Sequence, residues 1–254
     1  MTTTIDDPAK KRRELNRRIR EGALASGLPL PLVSQLKVEL AKASLILGDA
    51  EARFLVDYYY MQQEDRKRAH NQVRSLLPGE EPHDVIAWLA FNAMVLEEVI
   101  KDRLGEYAKS KVAGQWAASI RGIGPVISAG LVSHIDITKC RTVSQLWRFA
   151  GLDPTQEWLG KEGATALIAE LWRARAVFSE GILQEAAEGS HRNIDNLRRQ
   201  AADKDTGEIT RASLTGALAR RPWNAGLKTL CWKLGESFVK VQNNLDDVYG
   251  QHYV

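Results

Sequence analysis

The sequence predicts an all-α protein, and three observations carry that reading. Apolar residues recur at spacings of three and four in every long segment, no convincing run of strand-type alternation occurs, and Gly, Pro and Asp interrupt the periodic stretches where helices would stop. Residues 1 to about 30 open with Lys10-Lys11-Arg12-Arg13 and Arg17-Arg18-Ile19-Arg20 and close with Gly27-Leu28-Pro29-Leu30-Pro31, a composition that predicts a basic arm and a turn. From Leu32, the positions Leu32, Val33, Leu36, Leu40, Ala43 and Leu47 form one helical stripe, and Gly48-Asp49 supplies a stop and a new N-cap. A second helix runs through Leu55, Tyr58, Tyr59, Val73 and Leu77 until Pro78-Gly79-Glu80-Glu81-Pro82 ends it. A third opens near Asp84 with Val85, Ile86, Leu89, Ala93, Leu96 and Ile100 on one face and Glu97 and Lys101 as an i,i+4 pair on the other. Three long helices with short connections predict a bundle over residues 31–108, a surface for a second copy of the chain or for a partner protein.

The region from 109 to 254 is again periodic at helical spacing. Gly151-Leu152-Asp153-Pro154 is a turn, and Gly189-Ser190 with the charged stretch His191 to Glu208 reads as a solvated insertion near 178–212. The last helix starts at Trp223-Asn224 and continues through Leu227, Leu230, Leu234, Phe238 and Val241.

Composition narrows the function classes. With 44% hydrophobic and 26% charged residues, 254 residues can bury one large core or two smaller ones. A formal net charge of +3 means that an electrostatic case for nucleic acid rests on where the cations sit, at the N-terminus and at Arg220-Arg221, Lys228, Lys233 and Lys240. The two cysteines, Cys140 and Cys231, are too few for a disulfide framework and fit a reducing, cytoplasmic compartment. No window has the length of a membrane span, and the N-terminus lacks the apolar stretch of a signal peptide, so no membrane partner is expected. The five histidines show no ligand spacing with each other or with the cysteines, and no Walker-type loop occurs; neither a metal nor another cofactor is expected. Tyr58 and Tyr59 read as core residues, and Arg66 to Arg74 as a solvated face with partner carboxylates.

The segment with the most chemistry is Ile120-Arg121-Gly122-Ile123-Gly124-Pro125, between a helix through Trp116 and Ala117 and a helix through Val126, Ala129, Leu131, Val132 and Ile135. Gly122 and Gly124 can take positive φ and let a phosphate approach the backbone without meeting a Cβ, and Ile123 pins the turn. Pro125 suits the first helical position, where its missing N–H costs nothing and the neighbouring N–H groups point outward into the positive end of the helix dipole. Arg121 adds a full charge, and Ser128, one turn on, is placed to donate to the same or the next phosphate. Such contacts fix position on a nucleic acid and read no sequence. This is the pattern of a helix-hairpin-helix, the plainer alternative being a tight corner between two helices.

The stretch Ile120 to Ile135, followed by Thr142-Val143-Ser144-Gln145-Leu146 and Phe149-Ala150-Gly151-Leu152-Asp153-Pro154, resembles the C-terminal domain of the RNA-guided insertion-sequence transposases of mobile genetic elements. Arg221-Pro222-Trp223-Asn224-Ala225-Gly226-Leu227-Lys228 is similar to that family's basic helix. The resemblance covers roughly residues 110–160 and 215–250. It implies a serine-bearing helix-hairpin-helix domain, with Arg221, Asn224 and Lys228 beside the nucleic acid. Two departures argue against its catalysis. The N-terminal half lacks the strands that would present the acidic residues of a RuvC-like domain, so Asp49, Asp57, Glu64 and Asp65 read as cap and solvated face. Leu159 stands where the nucleophilic serine is expected, while Ser179, Ser190 and Ser213 have no evident activating neighbour.

The expectation is a non-catalytic DNA-binding protein with no catalytic residues of its own, RNA being the alternative ligand. Two other readings stand beside it: a strand-transfer enzyme, transposase or recombinase, with an unrecognised or partner-supplied active site, and a protein-protein adaptor.

Overall fold

The computed structural model describes residues 8–25, 47–75, 84–173, 178–244 and 248–253, and among them eleven α-helices, one short 3-10 helix (Gly250–Tyr253) and no strand. The all-α expectation holds. The turn at Gly27–Pro31, the helix expected from Leu32 and the stop at Pro78–Pro82 lie outside the described residues. The chain divides into two compact units, Met1–His134 with Lys233–Val254, and Ile135–Trp232.

The first unit holds α1 (Pro8–Ala25), α2 (Asp49–Arg74), α3 (Asp84–Lys109), α4 (Val112–Ser119) and α5 (Pro125–His134). α2 and α3 pack along each other, α1 lies on α3, and α5 packs against both α2 and α3. The segment expected as an arm is therefore helical over Pro8–Ala25. Its anchor is Ile19, wholly buried against Val73 and Ala90 with Leu15 one turn before it. This apolar pair at i,i+4 docks a largely charged helix, whose Arg17 bridges Glu14 and Glu21 on the outside.

α3 buries Ala93 and Ile100 of the expected stripe but not its beginning. Val85 and Leu89 are about half exposed, at 48% and 53%, while Ala87, Ala90 and Ala93 are buried. Alanines at the seam let neighbouring helices approach closely, and the larger residues enter the core further along, at Ile100, Leu104 and Tyr107. Tyr107 donates its hydroxyl to Asp49 Oδ1 at 2.7 Å. That bond and a neighbouring apolar environment push the phenol well above its ordinary range, burial being the larger cause.

Glu97 does not serve the helix-surface pair expected with Lys101. It crosses to α2, accepting from the Arg66 guanidinium and, at 3.3 Å, from the Tyr59 hydroxyl. Both side chains of the ion pair are only 14% exposed. Lys67 and Arg68 pair with Glu64 and Asp65, as a solvated helical face would.

The second unit is built from α6 (Val143–Ala150), α7 (Gly160–Arg173), α8 (Glu180–Gly189), α9 (Ile194–Ala201) and α10 (Arg211–Ala219). α11 (Ala225–Val241) begins in this unit, and its residues from Lys233 onward belong to the first. The core joins Ile168, Ile182, Leu183, Leu197, Leu214 and Leu218 with several buried alanines. The charged stretch His191 to Glu208 is mostly exposed, as expected, but also contributes to this core. It supplies Leu197 and Ala201 to the core through α9, and its Arg198 pairs with Glu180 on α8. Two apolar residues at i,i+4 among many charges hid an ordinary amphipathic helix.

Replacing Arg66 by Met should leave the nearly buried Glu97 carboxylate without its cation and lower stability by about 1–3 kcal/mol. Urea unfolding of the variant checks this, with Lys101→Met, outside the pair, as the neutral comparison.

Candidate nucleic-acid interface

The turn between α4 and α5 is made in two halves. Ile123 N–H donates to Ile120 O at 3.0 Å, which closes the chain reversal around Gly122 at φ +92°. A Cβ at Gly122 would stand 2.8 Å from the Phe238 ring of α11 and 3.4 Å from Val241. The Ser237 hydroxyl donates to Gly122 O at 2.6 Å. Gly122 is therefore held from behind by α11.

Gly124 has the opposite setting. It is exposed, nothing lies within 4 Å of where its Cβ would be, and its φ is not in the positive region, so the expectation of positive φ holds at Gly122 alone. Ser128 N–H donates to Gly124 O at 2.9 Å as the first bond of α5. Pro125 has no N–H, and the N–H groups of Val126 and Ile127 precede that first bond, leaving them without intrahelical partners. Arg121 is exposed in the turn ahead of Pro125, where α5 begins, and Ile123 is half-buried.

Ser128 is not available to a ligand. It is fully buried and donates its hydroxyl to Gly114 O at 3.0 Å, so it ties α5 to α4. The sequence spacing put it one turn from the turn tip but could not say that it faces inward. His134, at the far end of α5, is held below the ordinary histidine range by burial first and by the nearby Arg53 cation second.

Arg221, Asn224 and Lys228 belong to the second unit. Asn224 has a structural duty: its Oδ1 accepts from Leu227 N–H at 3.0 Å as the cap of α11, and its own N–H donates to Phe149 O at 2.8 Å. The two cations each lie over an indole, Arg221 at 4.9 Å from the Trp158 ring centre and Lys228 at 4.4 Å from that of Trp223. Trp223 fills the space beside Gly151, whose φ of +69° ends α6 and whose Cβ would stand 2.5 Å from the indole.

Arg192 orders this segment and escaped sequence reasoning. Its guanidinium donates to Ala217 O at 2.9 Å, to Leu218 O at 2.8 Å and to Arg220 O, closing the carboxyl end of α10. Burial alone draws its pKa below the usual arginine value. Trp158 completes the arrangement, its indole N–H donating to Ala219 O at 2.8 Å. A lone arginine in a charged stretch carries no signal of such a role.

The serines considered as nucleophiles have quiet surroundings. Ser190 is buried on Ala186 O at 2.6 Å, Ser213 shares a capping box with Thr210, and Ser179 precedes α8 as its N-cap residue. Among the described residues, no group of three or more His, Cys, Asp or Glu side chains is arranged to hold a metal ion, and no helix is long and apolar enough to cross a membrane.

The sequence profile of the Transposase IS116/IS110/IS902 family matches residues 115–174, from α4 through α7. This quarter of the chain, roughly, is transposase-related. The match includes the whole α4–α5 turn and stops well before the basic block at Arg221. No curated protein matches the chain, and no solved structure does.

The two glycines should separate cleanly on substitution. Gly122→Ala, strained at φ +92° and in collision with Phe238, should lose about 1–3 kcal/mol, whereas Gly124→Ala should stay within about 0.5 kcal/mol of the parent. Thermal unfolding followed by circular dichroism checks both.

Proposed function

We propose that this is a non-catalytic DNA-binding protein, related to a transposase C-terminal domain, that grips the phosphate backbone at the Ile120–Pro125 turn without reading sequence. One observation carries the reading: the turn holds Gly122 rigidly against Phe238 while Gly124 faces open space at the start of α5. A glycine that neither positive φ nor crowding demands suits a backbone meant to be approached closely. The unpartnered amides ahead of Ser128 and the exposed Arg121 would supply the donors and the charge. The transposase-related match over the same residues favours DNA as the partner.

The proposed grip takes no part in bond breaking, and none of the serines discussed stands beside a base that would activate it. Its task is to hold a duplex by its backbone, with affinity that falls as salt rises.

Gly124→Leu should fold like the parent and weaken binding to a labelled duplex by roughly tenfold, since the side chain occupies the phosphate's approach. Arg121→Ala should lower the slope of log affinity against log salt by about 1. Fluorescence anisotropy with duplexes of two unrelated sequences at several salt concentrations measures both. Parent-like binding by Gly124→Leu would overturn the grip.

A further inference from the structure

We infer that the second unit carries a separate track for an unpaired nucleic-acid strand, running along the α7–α10 groove to the Trp158–Arg221 stack. The inference rests on the nucleic-acid reading above and concerns other residues. The groove encloses about 590 Å³ and is lined by Lys161, Thr165, Arg211, Thr215, Gly216 and Ala219 among others, none of them acidic. Its floor is small and mostly carbon. Thr165 and Thr215 turn their hydroxyls back onto Lys161 O and Arg211 O, each at 2.8 Å, and nothing lies within 4 Å of a Cβ at Gly216.

Lys161 and Arg211 are exposed along this groove, and neither forms an ion pair among the described residues. Two cations without carboxylates beside a shallow apolar floor fit a chain that alternates flat apolar bases with phosphates. At the Ala219 end, the indole of Trp158 is fixed by its bond to Ala219 O yet stays 48% exposed, with the Arg221 guanidinium over its ring. A fixed indole under a planar cation is a platform for one base, as stacking needs a flat face and little ordering on binding. A paired base hides its faces within the duplex stack, so the platform selects an unpaired nucleotide. DNA and RNA strands share that chemistry.

The test uses the full chain with labelled dT12, rU12 and a 20-base-pair duplex, followed by anisotropy. The double variant Lys161→Glu/Arg211→Glu, both positions exposed, should lose roughly tenfold or more in affinity for a single strand and keep its affinity for the duplex. Trp158→Ala should lose about as much, whereas Trp158→Phe, which keeps a ring and drops the N–H, should stay within about threefold. A strong preference between dT12 and rU12 would identify the strand the track serves, and equal binding would support recognition of the shared chemistry. Single-strand affinity unchanged in the double variant, or absent in the parent while the duplex binds, overturns the track and leaves the hairpin grip standing. Single-strand binding that survives Gly124→Leu but falls in the double variant supports the track even if the grip fails.

Discussion

The first unit depends on a missing atom. Gly122 has no Cβ, and the Phe238 ring stands where one would be. The Ser237 hydroxyl closes on the same residue's carbonyl. The turn is held by residues more than a hundred positions away in sequence. Its tip at Gly124 is exposed at the start of α5, where the amides of Val126 and Ile127 have no intrahelical partner. In the proposed grip, a turn held in this way would reduce the ordering cost of binding a few phosphates.

The second unit uses the same device with different parts. Gly151 gives its empty side to Trp223, and Arg192 gathers three carbonyls at the end of α10. Together with Asn224, which joins α6 to the start of α11, they make the Arg220–Asn224 segment a fixed ledge rather than a loose basic loop. The cations on that ledge lie over indoles instead of reaching into solvent alone. Burying an arginine among carbonyls is tolerable because each donated bond compensates part of its lost hydration. In both units, the groups proposed to touch nucleic acid are few, and most of the polar chemistry around them serves to hold them still.

The sequence made the helices legible and left their faces ambiguous. Stripes at three- and four-residue spacing located α2 and α3 because long helices repeat their pattern many times. Which residues were buried was harder to read at the start of α3, since Ala87 and Ala90 are weakly apolar and close packing selected them over Val85 and Leu89. Short amphipathic helices among charges were the least visible. Ile19 and Leu197 each anchor a helix that composition alone assigned to solvent. The Ile120–Pro125 turn was legible because glycine and proline restrict backbone geometry locally, whereas the inward direction of Ser128 and the capping bond of Asn224 were not, because a polar side chain's direction is set by tertiary neighbours. The partners of Gly122, Gly151 and Arg192 lie far along the chain, and no local pattern announces them.

The proposed grip requires a backbone phosphate to sit on the amides at the start of α5. Amide chemical shifts of the labelled protein, followed by NMR during titration with a short duplex of arbitrary sequence, test it most directly. With a phosphate there, Gly124, Val126 and Ile127 should move most and together, and added salt should reverse the change. Shifts confined to other residues, with these three amides unmoved at saturating duplex, would contradict it.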